Sequence, residues 1–135
     1  MVFFLKATGA FCHAIIILMK IVRDTISIEE LKTMAYSKFG NLVKAVVDIE
    51  QKIMAVDADL HADEEALLIE NGSKQQDLWG INIYPDLKKE EWIEFDSMIN
   101  LKPSIGNKTR GIDDPKIREK ILTIVCHLIK NELSA

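Results

Sequence analysis

Residues 41–60, NLVKAVVDIEQKIMAVDADL, decide the fold. Two β-rich runs flank the polar Glu50-Gln51-Lys52, the pattern of a hairpin. In the first run Val43, Ala45, Val47 and Ile49 alternate with more polar neighbours. In the second, Met54, Val56, Ala58 and Leu60 form one apolar face, which leaves Ile53, Ala55, Asp57, Asp59 and His61 on the other. If the strand runs that far, period two sends Asp57, Asp59 and His61 to one side together.

Upstream of the hairpin, Lys20 to Arg23 reads as a short strand, followed by ISIEEL at 26–31. There Ser27 and Glu30 have the S-x-x-E spacing of a capping box, with Ile26 and Leu31 at the flanking staple positions. Ile28, Leu31, Ala35 and Phe39 recur at near-helical spacing, and Gly40 supplies the left-handed stop. Downstream, residues 62–71 read as a helix with Asp63, Glu64 and Glu65 in its first turn and Asn71-Gly72 at its end. Ser73 and Gln76 offer a second capping box, opening one turn that Gly80 closes.

Ile81 to Tyr84 then reads as a strand and Pro85 to Glu90 as a turn. EWIEFDSMINLKP, residues 91–103, is expected to be the longest strand. On it Ile93, Phe95, Ile99 and Leu101 share one face, while Glu94, Asp96, Met98 and Asn100 share the other. Trp92 falls on the polar side, so partial exposure is expected for it. After the loop PSIGNKTRGIDD, Asp113-Asp114-Pro115 starts a final helix with Ile117, Ile121, Ile124, Val125 and Leu128 as its buried stripe. The order β-α-β-β-α-β-β-α makes an α+β domain with a mostly antiparallel sheet and helices packed on it.

Composition bounds the functional classes. The chain has 135 residues, 48% hydrophobic and 28% charged, enough for one core. Its 17 Lys and Arg against 21 Asp and Glu give a net charge of −4, which disfavours non-specific nucleic-acid binding. Cys12 and Cys126 lie far apart without C-x-x-C spacing, in keeping with a reduced, cytoplasmic setting. The opening MVFFLKATGAFCHAIIIL is far more apolar than the rest of the chain. No small-residue cleavage site comes after its apolar run, and the uncharged interval from Lys6 to Lys20 falls short of the roughly 20 residues that a membrane span requires. Residues 1–18 are therefore expected to be an extension upstream of a usual start at Met19, with 19–135 a single domain and no membrane association.

Three constellations could carry chemistry. Asp57, Asp59 and His61 combine carboxylates with an imidazole, a donor set suited to zinc, manganese or iron(II) that could activate water. The competing account is the solvated side of a half-buried strand. Glu94 and Asp96, with Asn100, line the polar face of the long strand, where two carboxylates can act as acid and base if burial separates their pKa values. Strands with one wet face carry such residues routinely. Asn107, Lys108 and Arg110 sit in a glycine-flanked loop before a helix, suited to an anion, although the P-loop spacing is missing and Asp113-Asp114 come next. A plain turn in which Arg110 pairs with a nearby carboxylate explains the same residues.

DLHADEEALL (59–68), ENGSKQQDLWGINIYP (70–85), EWIEFDSMIN (91–100) and IGNKTRG (105–111) together resemble a small uncharacterised prokaryotic family, a domain of unknown function. The resemblance spans about residues 19–130. It implies a compact, soluble microbial protein, and it lends no catalytic residues. The leading expectation is a binding module for a protein partner or a small anionic ligand, through Asn107, Lys108 and Arg110, with no cofactor and with a homodimer as one form of partner. The alternative is a metal-assisted hydrolase with Asp57, Asp59 and His61 as divalent-metal ligands and Asp96 as base.

Overall fold

The computed structural model describes residues 19–131. The expected extension at 1–18 lies outside the described residues. The elements run along the chain as β1 (Lys20–Val22), β2 (Ile26–Ser27), α1 (Ile28–Ser37), β3 (Val43–Asp48), β4 (Ile53–Val56), α2 (His61–Glu70), β5 (Leu78–Ile83), β6 (Ile93–Glu94), α3 (Pro115–Leu128) and β7 (Ile129–Lys130). Short 3-10 turns cover Gln75–Asp77, Lys89–Glu91, Met98–Asn100 and Pro103–Ile105. Five strands form an antiparallel sheet in the order β1-β4-β3-β5-β6, and β2 pairs in parallel with β7 beside it. The class is α+β. Among the described residues no helix is long and apolar enough to cross a membrane.

Both faces of the central strands are covered. One face carries Ala45, Val47, Met54, Val56, Trp79, Ile81 and Ile83, packed with Leu31 and Ala35 of α1 and Ile121, Ile124, Val125 and Leu128 of α3. The other face carries Val46, Ile53, Ala55 and Leu78, packed with Leu67 and Leu68 of α2. The register Val46↔Ala55 and Val47↔Met54 sets these two faces. So β4 has no wet side: the helix after it folds back over Ile53 and Ala55.

The local signals explain the ends. Ser27 Oγ accepts from Glu30 N at 3.0 Å and opens α1, and Gly40 at φ +95 donates its N–H to Ala35 O behind it. Asp114 caps α3 by accepting from Lys116 N at 2.9 Å, with Pro115 in the first turn. In the β3–β4 turn, the buried Asp48 accepts from Glu50 N and Gln51 N through Oδ1, and from Ser73 Oγ at 2.6 Å through Oδ2. Ser73 is thus not the expected cap. It ties the end of α2 to the hairpin, and Leu78 to Gly80 belong to β5.

The long strand expected at 91–103 is two residues long. Asn82↔Glu94 and Ile83↔Ile93 pair, and then the chain leaves the sheet. Asn100 takes over from it. Its Oδ1 accepts from Gly80 N at 2.8 Å and its Nδ2 donates to Gly80 O at 3.0 Å, so one side chain satisfies the backbone that a longer β6 would have paired. Trp92 is buried at 4% exposure and donates Nε1–H to Leu87 O, contrary to the exposure expected from its place in the pattern.

This replacement needs a glycine at position 80. A Cβ there would stand 2.5 Å from Ser97 Cβ and 2.6 Å from Ser97 Oγ. Gly80→Ala is expected to destabilise the protein by about 1–3 kcal/mol in chemical denaturation, and adding Ser97→Gly should recover part of that loss. Strictly additive costs in the double variant would contradict the close approach.

Candidate functional site

Along the α2 side of the sheet, the packing changes character from one end to the other. Apolar at Val46 and Leu68, it becomes polar where Lys44 of β3, Asn82 of β5 and Glu94 of β6 stand in one row, each paired in register with the next. Above that row lie His61 and Glu64, on successive turns of α2 and both buried. The row and the helix end bound a polar seam.

The hydrogen bonds of the seam leave a specific remainder. His61 Nε2 lies 2.7 Å from Ile81 O; a carbonyl only accepts, so Nε2 carries the proton. Nδ1 has no hydrogen-bond partner among the described residues. Asn82 Nδ2 donates to Glu94 Oε1 at 2.9 Å, as does Tyr84 O–H at 2.8 Å. Asn82 Oδ1, in a residue only 8% exposed, is buried without a partner. Glu64 Oε2 accepts from Ala58 N at 3.0 Å, while Oε1 is buried and unpartnered.

The electrostatics match this burial. Removal from water pushes the Glu64 carboxyl well above the usual carboxylate range, against the opposing bond from Ala58 N, with the Asp57 charge adding to the rise. Burial likewise lowers the His61 pKa, opposed by the Ile81 carbonyl and assisted by the Lys44 charge. The imidazole is therefore neutral at pH 7, with Nδ1 as an acceptor. Asp96 and Arg110 also act on His61, so both stand close to the seam.

The three candidate constellations are thus redistributed. Arg110 Nε donates to Asp96 Oδ1 at 2.7 Å, across the exposed rim. Lys44 rests over the Phe39 ring at 5.3 Å and makes no ion pair among the described residues. Asn107 is buried and structural in its bonding. Its Nδ2 donates to Asn100 O, Thr109 O and Gly111 O, and its Oδ1 accepts from Asp113 N. Lys108 is exposed on the same loop. The backbone O of Arg110 accepts from Ser97 N and Asn100 Nδ2, so the two buried asparagines fix the loop that carries Arg110 to the seam.

Asp57 and Asp59 do not converge with His61. β4 ends at Val56, and Asp57 takes φ +75, a left-handed conformation that Asp tolerates better than most residues. Both carboxylates turn toward Lys38 Nζ, at 3.9 and 3.4 Å, and His61 becomes the first residue of α2. Burial raises the Asp57 pKa against the pull of Lys38. Among the described residues no three or more His, Cys, Asp or Glu side chains are grouped to hold a metal ion. Lys44, Asn82 and Glu64 escape the sequence reading. Lys44 and Asn82 do break the apolar runs of their strands on the α2 face, and that interruption is the signal that marks the seam.

The sequence profile of the family described as "Protein of unknown function (DUF5674)" matches residues 20–128. No curated protein and no solved structure matches the chain.

Glu64 has a measurable signature. A carboxyl kept protonated by burial retains its proton in the folded chain at pH values where the unfolded chain has lost it, so stability falls as pH rises above the unfolded value, near 4.5. The slope reaches at most about 1.4 kcal/mol per pH unit. Glu64→Gln keeps an acceptor for Ala58 N–H and cannot ionise. It should melt higher than wild type at pH 8 and at nearly the same temperature at pH 4; an equal difference at both would show that Glu64 ionises normally in the fold.

Proposed function

The chain belongs to the DUF5674 family of proteins of unknown function, and from its geometry we propose that it is a binding module for a small anionic ligand held in the seam between α2 and the sheet. The observation that carries this reading is the coexistence, at one place, of two cations and buried polar atoms without partners, Asn82 Oδ1 and Glu64 Oε1. Lys44 lacks a carboxylate partner among the described residues. Arg110 engages Asp96 through Nε, which leaves its two terminal amino groups for a carboxylate or phosphate. Buried polar atoms left unpaired cost about 1–3 kcal/mol each. A ligand that satisfies them gains that energy on binding.

The fold supports the same reading. The seam is built on a strand, a helix start and a loop pinned by buried amides, which hold side chains in place before a ligand arrives. Phe39 beneath Lys44 confines the ammonium without neutralising it.

The test is a titration of isotope-labelled protein with small carboxylates and phosphates, monitored by amide NMR. Saturable shifts should centre on Lys44, His61, Asn82 and Arg110. Lys44→Ala and Arg110→Ala should each weaken affinity about tenfold, roughly 1.4 kcal/mol. Shifts scattered over surface lysines without saturation would refute the seam as the site.

A further inference from the structure

We infer that the ligand of the seam carries hydroxyl or amino donors beside its anionic group, as an amino acid, a hydroxy acid or a polyol phosphate does, and that a bare anion is not its natural occupant. This inference rests on the anion-binding reading of the seam and adds the chemistry of the part of the ligand that faces inward.

The protein has already used much of the hydrogen-bonding capacity of the seam: besides Glu64 Oε1, on a carboxyl whose pKa burial raises, the groups left over are Asn82 Oδ1 and His61 Nδ1. Asn82 has both an acceptor and a donor group, but Nδ2 is committed to Glu94 and only the buried Oδ1 remains. His61 is fixed by Ile81 O as the Nε2–H tautomer, so it presents the lone pair of Nδ1. Asn82 Oδ1 and His61 Nδ1 are therefore both acceptors. A phosphate or carboxylate oxygen facing them would meet lone pairs, whereas an O–H or N–H would meet a partner. The rim repeats the requirement: Glu94 and Asp96 stand beside Lys44 and Arg110 and repel an anion that brings no compensating donor. Ligand charge is matched at Lys44 and the terminal amino groups of Arg110, and ligand donors at Asn82 Oδ1 and His61 Nδ1.

The occupant is thus dipolar in its hydrogen bonding, with acceptors outward and donors inward. Its anionic end and its donors need to be neighbours on a small skeleton, since one helix end, one strand row and the Arg110 loop supply all the contacts.

The experiment pairs ligands that differ only in donors: acetate against serine, and inorganic phosphate against glycerol 3-phosphate, each titrated into the full chain by amide NMR. At least one donor-bearing member should bind tenfold or more tightly than its bare counterpart. In His61→Leu that advantage should collapse. His61→Gln, whose amide can donate to Ile81 O and present an oxygen inward, should restore part of it. Equal affinities within both pairs, with saturation at the seam, would overturn this inference and leave the anion reading standing. Absence of binding by all four compounds would overturn both. If His61→Leu fails to fold, the wild-type comparison within each pair decides.

Discussion

Asn100 reaches the backbone of Gly80 with both ends of its amide, and the second half of the molecule is arranged around that pair of bonds. A β6 that continued along β5 would have carried residues 95–101 straight across the edge of the sheet. Instead the chain leaves after Glu94, turns through Met98–Asn100, and returns its hydrogen-bonding capacity to β5 through a side chain. The close approach of Ser97 excludes any side chain at position 80. The same asparagine donates to Arg110 O, and Asn107 binds the carbonyls of Asn100, Thr109 and Gly111. Two buried amides thereby convert a glycine-flanked loop into a fixed support for Arg110. The placement of Arg110 thus descends from backbone satisfaction.

The seam is the place where packing and polarity conflict. α2 buries Leu68 in the ordinary way, yet one and two turns earlier it buries Glu64 and His61 against Lys44 and Asn82. Apolar side chains at these four positions would extend the core by two layers. The polar set leaves buried polar atoms unpaired and a carboxyl whose pKa burial raises, each at a cost to stability. Such a cost is coherent if a ligand offsets it. Satisfied networks stabilise a fold, and each buried group left unsatisfied calls for a physical explanation.

Much of the fold was legible because it is written in short-range chemistry. The Ser27 capping box, the glycine stop at Gly40, the hairpin at Glu50-Gln51-Lys52 and the Asp114-Pro115 start all depend on neighbours within a few residues. The class and the element order came from them. The long strand at 91–103 failed for the opposite reason. Its alternation was real, but the partner that replaced it, Asn100 on Gly80, lies 20 residues away along the chain. Asp57 misled in a similar manner: AVDADLH alternates like a strand, and only the positive φ at Asp57 and the return of Glu64 onto Ala58 N show that it bends. Trp92 lay on the polar side of the pattern, and its pocket under Leu87 was formed by the turn that the pattern did not foresee.

For the site, the fold regroups the candidate residues. His61, Glu94, Asp96 and Arg110, drawn from three candidate sets, come together along one seam. Lys44 and Asn82 were hidden as ordinary polar positions of strands. The chemistry of the seam turns on which nitrogen of His61 holds the proton, since that decides whether the site asks its ligand for donors or for acceptors. The nitrogen-15 shifts of the His61 ring between pH 7 and 8 measure this directly. A protonated Nε2 and a bare Nδ1 are expected across that range; a proton on Nδ1, or an imidazolium, would contradict the reading of the seam.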